Sequence, residues 1–74
     1  MDANQVWVSP HKDGWEVKSA GSEHAAAVFE KQAEAVHKAI ELAQHKKAEL
    51  IVQKENGTIA WRNSYGNDPY PPRG

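Results

Sequence analysis

Four histidines are the residues of this chain best suited to bind a metal ion, because imidazole is a common ligand of zinc and copper. His37 and His45 fall on a predicted helix, and their spacing separates them by about 12 Å along its axis, too far for one ion. His11 and His24 fall in predicted loops. The chain has no cysteine, so thiolate sites are excluded. We therefore expect neither a metal nor a cofactor.

Ser22, Glu23 and His24 supply in order the hydroxyl, acid and base of nucleophilic catalysis. Adjacency along a chain does not create the required geometry, and the three lie in a predicted glycine-containing loop that nothing visible holds rigid. The turn glycines are isolated and form no phosphate-binding loop. A chain of 74 residues also has little room to enclose a substrate. We expect no catalytic residue and no enzyme.

The size of the chain predicts one domain, 1–74, with a compact part at 5–63 and a tail at 64–74. A core of this size holds only a handful of large side chains. The small cores of such domains are supplemented by disulfides, metals or self-association. Disulfides are excluded, because the chain has no cysteine. Self-association is therefore the supplement to consider.

The formal net charge is −1, and acids and bases are spread evenly along the chain. Nucleic-acid binding usually depends on clustered Lys and Arg, so this balance counts against non-specific binding but leaves a local patch open. Residues 1–5 are polar and lack the features of a signal peptide. No apolar stretch approaches the length of a membrane span. We expect a cytoplasmic protein without membrane contact.

The first secondary structure predicted is a hairpin of residues 6–10 and 15–19, two short alternating runs around a glycine-containing turn. A four-residue loop places Pro10 opposite Trp15 and Val8 opposite Val17. Val6, Val8, Trp15 and Val17 then share one face.

The helix is predicted over 31–47, a stretch of good helix formers without Gly or Pro. Its predicted apolar stripe is narrow and rich in alanine, which lets a helix lie close to a sheet. Residues 25–29 form either a short extra strand or the lead-in to the helix. The stripe consists of Ala33, Val36, Ala39, Ile40 and Ala43.

Residues 49–54 and 58–62 flank Asn56-Gly57, a strong signal for a second hairpin. A two-residue turn places Val52 opposite Trp61. Leu50, Val52, Ile59 and Trp61 then face the helix together. The predicted fold is α+β with the order ββαββ, an antiparallel sheet of about four strands with one helix on one face and an extended Pro-rich C-terminal tail.

The tail contains prolines that forbid strand pairing and favour an extended, polyproline-like path. Tyr65 and Tyr70 could anchor it to its own sheet. The same segment could instead be a peptide ligand for an aromatic-lined groove. Both alternatives stay open on the sequence.

Five short motifs extend over nearly the whole chain: Val6-x-Val8-x-Pro10, Gly14-Trp15-x-Val17, Gln32-Ala33-Glu34-Ala35, Asn56-Gly57 and residues 65–74. In these motifs the chain resembles the small bacterial family known as domain of unknown function 2188. The resemblance implies this fold and no activity, and it supplies no catalytic residue. One departure is Lys31, where family members often carry Ser or Thr, so the side-chain N-cap is missing.

Strand alternation places a mixed apolar and basic surface on the sheet face away from the helix, with Trp7, Lys18, Ile51, Ala60 and Arg62 on it. Exposed Trp and Ile beside Arg is typical of a contact surface. Its occupant could be the tail, a second copy or a partner. With this face, three tail residues complete the predicted contact surface: Tyr65, Asp68 and Tyr70.

We therefore predict a non-enzymatic interaction module that self-associates or binds a protein partner through the outer sheet face or the C-terminal tail. The alternative is a nucleic-acid-binding module in which Trp7 stacks on a base beside Lys18 and Arg62. One aromatic and two bases are thin support for it, because such platforms normally carry several aromatics in a basic groove.

Overall fold

The computed structural model describes residues 4–66 and contains a five-stranded sheet with one helix on one of its faces. The strands lie in the order β3-β2-β1-β4-β5. The α+β class is confirmed, whereas the expected four strands and the fully antiparallel arrangement are wrong. In chain order the elements are β1 (Gln5–His11), β2 (Gly14–Ser19), β3 (Ala27–Phe29), α1 (Gln32–Lys46), β4 (Glu49–Gln53) and β5 (Ile59–Ser64).

The short strand β3 explains the mixed sheet. It pairs antiparallel with β2 and so runs in the same direction as β1. The helix then carries the chain back across the sheet, and β4 enters beside β1 and parallel to it. Without β3, the helix would follow β2 and β4 would run antiparallel to β1. The choice left open for residues 25–29 therefore decides the direction of the second hairpin.

The first hairpin has the predicted register, with Pro10 opposite Trp15 and Val8 opposite Val17. Gly14 ends its turn at φ 132°, a conformation that side chains other than glycine rarely adopt. A Cβ at Gly14 would overlap the carbonyl oxygen of Phe29 and lie 2.8 Å from the Cα of Glu30. Glycine at this position therefore lets the end of β3 approach β2 closely.

The second hairpin differs from the prediction in two ways that compensate for each other. Its loop uses one residue more than the predicted two, since the Lys54 N–H donates to the Thr58 carbonyl at 2.7 Å. A bulge then adds one residue to β5, so Val52 still lies opposite Trp61 as predicted. On the turn side of the bulge, the β5 residues therefore point to the faces opposite to those predicted. Ile59 lies opposite Gln53 instead of facing the helix with Val52.

The helix runs close to its predicted bounds but presents a slightly different stripe. Ala35, Ala39 and Ala43 are fully buried, Val36 and Ile40 lie half-buried against the core, and Ala33 is exposed. The inclusion of Ala33 in the stripe was wrong, because the buried line follows a spacing of four along the helix. Lys31 provides no side-chain cap, as expected, and the helix ends at Lys47 in the left-handed conformation, φ 54°.

The core lies between the helix and the strands that it covers, β1 to β4. Among residues 4–66, every buried side chain is apolar. The alanines let the helix backbone approach the valines and leucine of the sheet, so a small domain obtains a dry core without large aromatics at its centre. The core cluster is Val6, Val8, Val17, Ala35, Ala39, Ala43, Ala48, Leu50 and Val52.

Candidate functional site

The predicted outer surface forms a straight row across four strands. Lys18 lies opposite Trp7, Trp7 opposite Ile51, and Ile51 opposite Arg62. Their neighbours along each strand point to the helix side, so the row lies on the face that the helix does not cover. The prediction that these residues share that face is confirmed, except for Ala60. The bulge turns Ala60 to the helix side, where it lines a groove with Trp61.

Ile51 is not available to a partner, because only 1% of it is exposed. Its neighbours in the row are Trp7 and Arg62, two large side chains, and an arginine stem can cover apolar surface while its charged end stays in water. Trp7 is half-buried, and its Nε1–H donates to the Gln5 side-chain oxygen at 3.2 Å. The expectation of an exposed isoleucine was therefore wrong.

The charges of the outer face are balanced. Arg62 Nη1 lies 3.9 Å from a carboxylate oxygen of Glu49, and the pairing of Ser9 with Glu16 places a second acid on the same face near Lys18. Two acids beside two bases give little net attraction for phosphates. This arrangement is less basic than a stacking platform for nucleic acid requires.

The predicted tail residues are divided by the range that the structure describes. Tyr65 packs against the core of its own domain, and its N–H donates to the Ala48 carbonyl at 3.1 Å. Gly66 follows beside Lys47, at the end of the helix. Asp68 and Tyr70, and the path predicted for residues 67–74, lie outside the described residues.

The residues considered for catalysis and metal binding do not assemble into a site. The Ser22 hydroxyl donates to the His24 carbonyl at 3.0 Å and accepts from the His24 N–H at 3.4 Å, which is a local turn. Across residues 4–66, no group of three His, Asp or Glu side chains is arranged to hold a metal ion.

The most exposed regular element is β5, at one edge of the sheet. All six of its residues are exposed, and they include Ile59 at 44% and Trp61 at 43%. The helix packs on the other four strands and stops short of β5. An edge strand offers free backbone N–H and C=O groups to another strand. Sequence reasoning missed this site, because it took both residues as core.

Beside β5, on the helix side of the sheet, an open groove of about 540 Å³ lies in front of the first helical turn. Trp15 and Trp61 line it together with Gln32, whose side-chain N–H donates to the Gln53 carbonyl at 3.0 Å. This bond holds the start of the helix on β4. Lys54, Glu55 and Ala60 complete the lining.

A second groove of about 600 Å³ lies between β3 and the helix, lined by Phe29, Ala33, Glu34, His37 and Lys38. Its exposed lining is mostly apolar, and more so than that of the groove between the two tryptophans. Charged and polar side chains nevertheless make up the larger part of its lining residues.

Comparison with known proteins gives the family of the chain. The model of a family described as "Uncharacterized protein conserved in bacteria (DUF2188)" matches residues 6–65. The chain belongs to the DUF2188 family. A curated relative, "Uncharacterized protein YdaT" of Bacillus subtilis (strain 168), is 36% identical over 52 residues, which cover 70% of this chain and 35% of the relative. No solved structure matches the chain.

DUF2188 membership confirms the resemblance described from the motifs. Both names describe uncharacterised proteins, so neither brings an activity or a partner to this chain. The chain spans about a third of the length of the curated relative. In the part of the chain from 4 to 66, no helix is both long enough and apolar enough to cross a membrane.

Proposed function

We propose that this chain is a non-enzymatic interaction module that associates with a second copy of itself through antiparallel pairing of the two β5 strands. The observation that carries the proposal is the complete exposure of β5, a six-residue edge strand. Natural proteins usually protect such an edge with proline, charge, a β-bulge or a covering element. The bulge of β5 lies near its start, and Trp61 to Ser64 pair regularly with β4. β5 has no proline, and its single charged residue, Arg62, is paired with Glu49.

The composition of β5 suits pairing with itself. A two-fold axis perpendicular to the sheet places one residue opposite the same residue of the second copy. Centring the pair on Arg62 would oppose two guanidinium groups, which is unfavourable. Centring it on Trp61 avoids this opposition and brings the two indoles together. They then form a cross-strand aromatic pair, an interaction that contributes about 0.2–1 kcal/mol.

Pairing also adds buried surface to a domain whose own core is small. It joins two sheets edge to edge and removes the longer exposed edge from each copy. Ile59 and Trp61 lose part of their contact with water, and burial of apolar surface contributes about 25 cal/mol per Å². The other edge strand, β3, has only three residues and is a weaker template.

The test is the mass in solution, measured by sedimentation equilibrium for the wild type and for two matched variants. Ile59→Lys introduces a charge on the proposed interface, and Val28→Lys does the same on β3, at a residue of nearly equal exposure, 42% against 44%. We expect the wild type and Val28→Lys to form dimers of twice 8.2 kDa, and Ile59→Lys to be monomeric. A monomeric wild type, or a dimer broken only by Val28→Lys, contradicts the proposal.

Nucleic-acid binding is the second candidate, since Lys18 lies directly opposite Trp7 on the outer face. Glu16 and Glu49 on that face count against it. A titration with single- and double-stranded oligonucleotides at low salt separates the two functions, because electrostatic affinity is greatest there. We expect no binding. Salt-sensitive binding that is lost in Lys18→Ala would favour this candidate instead.

A further inference from the structure

The turn between β4 and β5 contains an asparagine followed by a glycine, Asn56-Gly57. In such a pair the backbone nitrogen of the second residue can attack the side-chain carbonyl carbon of the first, because glycine has no side chain to obstruct the approach. Asparagine is one of the thermolabile residues of proteins. Both residues are exposed, and a Cβ on Gly57 would meet no atom within 4 Å. Water therefore has free access to the pair.

The side-chain oxygen of Asn56, Oδ1, accepts hydrogen bonds from two donors of Thr58. The Thr58 N–H donates to it at 3.1 Å and the Thr58 hydroxyl at 2.7 Å. When the Gly57 nitrogen attacks the Asn56 Cγ, that carbon becomes tetrahedral and negative charge develops on Oδ1. Two donors that already point at this oxygen have the arrangement of an oxyanion hole.

The two Thr58 bonds favour the attacked state over the intact amide. Hydrogen bonds to a charged acceptor are roughly twice as strong as bonds between neutral groups. Only the part of an interaction that is stronger in the transition state than in the ground state increases a rate. Because the charge on Oδ1 appears during the attack, Thr58 lowers the barrier of this step.

The hydrogen bonds of the turn itself limit how often the attack can begin. The Gly57 N–H donates to the Lys54 carbonyl at 2.9 Å, and the Lys54 N–H donates to the Thr58 carbonyl at 2.7 Å. The Gly57 nitrogen must leave its bond before it can reach Asn56. Exposed turns open at a lower free energy than the core, so this step does not require unfolding of the domain.

Asn63 provides a comparison within the same chain. It lies in β5 opposite Leu50, where strand pairing holds the backbone, and the residue after it is a serine rather than a glycine. Its Oδ1 accepts a hydrogen bond from the Ser64 N–H at 3.0 Å, so the nitrogen that would have to attack is itself the donor. Asn63 should therefore be far less reactive than Asn56.

We propose that Asn56 is a deamidation site of the folded chain and that Thr58 accelerates the reaction there. The Gly57 nitrogen forms a bond to the Asn56 Cγ and gives up its proton, and the bond from Cγ to Nδ2 breaks. Nδ2 leaves with that proton as ammonia, and a cyclic imide remains. Water then opens the imide at either carbonyl, which gives aspartate or isoaspartate. The reaction needs neither an oxidant nor a reductant.

The two products change the turn in different ways. Aspartate keeps an acceptor for Thr58 and adds a negative charge next to Glu55. Isoaspartate carries the main chain through the former side-chain carbon, so it lengthens the turn by one atom. We expect the bonds between Lys54 and Thr58 and between Gly57 and Lys54 to break in that product, and the start of β5 to move.

The test measures the conversion of Asn56 in the folded wild type and in two variants during incubation at mildly alkaline pH. Thr58 is exposed, so Thr58→Val removes the hydroxyl donor without disturbing the core, and Thr58→Ser keeps the hydroxyl. Trypsin cleaves after Lys54 and Arg62 and releases residues 55–62, in which Asn56 is the only asparagine. Mass spectrometry then separates the amide from the acid.

We expect Asn56 to convert at similar rates in the wild type and Thr58→Ser, and about two- to tenfold more slowly in Thr58→Val, the range that one hydrogen bond provides. Asn63 should remain an amide over the same period. In concentrated urea the contact is lost, so the wild type and Thr58→Val should convert at equal rates.

Three results would overturn the proposal. The first is a folded wild type in which Asn56 converts no faster than Asn63. The second is a folded Thr58→Val that converts as fast as the wild type, or a Thr58→Ser that is as slow as Thr58→Val. The third is the same ratio of rates in urea as in the folded chain, because the effect would then come from the neighbouring residue type and not from the folded contact. The oligomeric state enters none of these measurements, so the outcome is independent of the β5 pairing.

Discussion

Trp7 and Ile51 lie directly opposite each other on the parallel strands β1 and β4, on the sheet face away from the helix. Ile51 is nevertheless as buried as the core residues beneath the helix, with 1% of it exposed. We infer that the large side chains in its own row, Trp7 and Arg62, cover it. The outer face thus contributes to stability as well as to the surface.

The first prediction concerns Ile51. Ile51→Ala removes buried methylene and methyl groups, so we expect a loss of about 2–5 kcal/mol in the free energy of unfolding, as for core positions. Val28→Ala, at a residue 42% exposed, is the control and should change it by about 0.5 kcal/mol or less. Urea unfolding measures both. Equal effects of the two substitutions would show that the outer face adds no stability at Ile51.

The second prediction concerns Gly14. Gly14→Ala places a Cβ against the backbone of Phe29 and Glu30 and at φ 132°. We expect a loss of about 2–3 kcal/mol and early hydrogen exchange in β3, because the strand must move away. Gly21→Ala is the control, at φ 84° with no atom within 4 Å of the added Cβ, and it should cost about 1 kcal/mol. A Gly14→Ala variant as stable as Gly21→Ala is the contrary result.

The third prediction concerns the uncapped start of the helix. Lys31 has the extended backbone of an N-cap residue, φ −115° and ψ 142°, but no side-chain bond. Lys31→Ser supplies an acceptor for a free helical N–H, and we expect a gain of about 1 kcal/mol. Such a gain raises the midpoint of thermal unfolding by about 4–8 °C in a domain of this size. Lys31→Ala controls for the loss of charge and should give no increase.

The fourth prediction concerns the other end of the helix. Lys47 is the one non-glycine residue with positive φ among those described, and its N–H bonds back to Ala43 and Gln44. Lys47→Gly relieves the left-handed strain, and we expect a gain of about 1 kcal/mol. Lys46→Gly, one residue earlier within the helix, should instead cost about 1 kcal/mol. The same sign for both substitutions in thermal unfolding would contradict this account.

Several features could be predicted because they depend on neighbours along the chain. The first hairpin follows from two alternating runs around Gly14, and the helix from a stretch without Gly or Pro. The pairing of Val52 with Trp61 was also predicted. The turn is one residue longer than predicted, and the bulge adds one residue to β5, so the two differences cancel at this pair. A bulge cannot be read from alternation, so Ile59 and Ala60 were placed on the wrong faces.

The candidate site was harder to predict than the fold. Placing Trp7, Lys18, Ile51 and Arg62 on one face requires only strand alternation. Their exposure depends on which side chains stand beside them, and that is set by strand order. The exposed β5 edge and the groove between Trp15 and Trp61 arise because one helix is too narrow to cover five strands.

Local chemistry in the sequence alone determined the helix, the two hairpins, the glycine turns and the apolar faces, since each depends on residues within a few positions. Tertiary structure alone decided the strand order, the parallel pairing of β1 with β4 and the open edge at β5. The three residues of β3 reverse the direction in which the chain enters the helix, and therefore the direction of β4. Burial against strands distant in the sequence favours this short strand. Long-range pairing of this kind leaves no periodic mark in a single sequence.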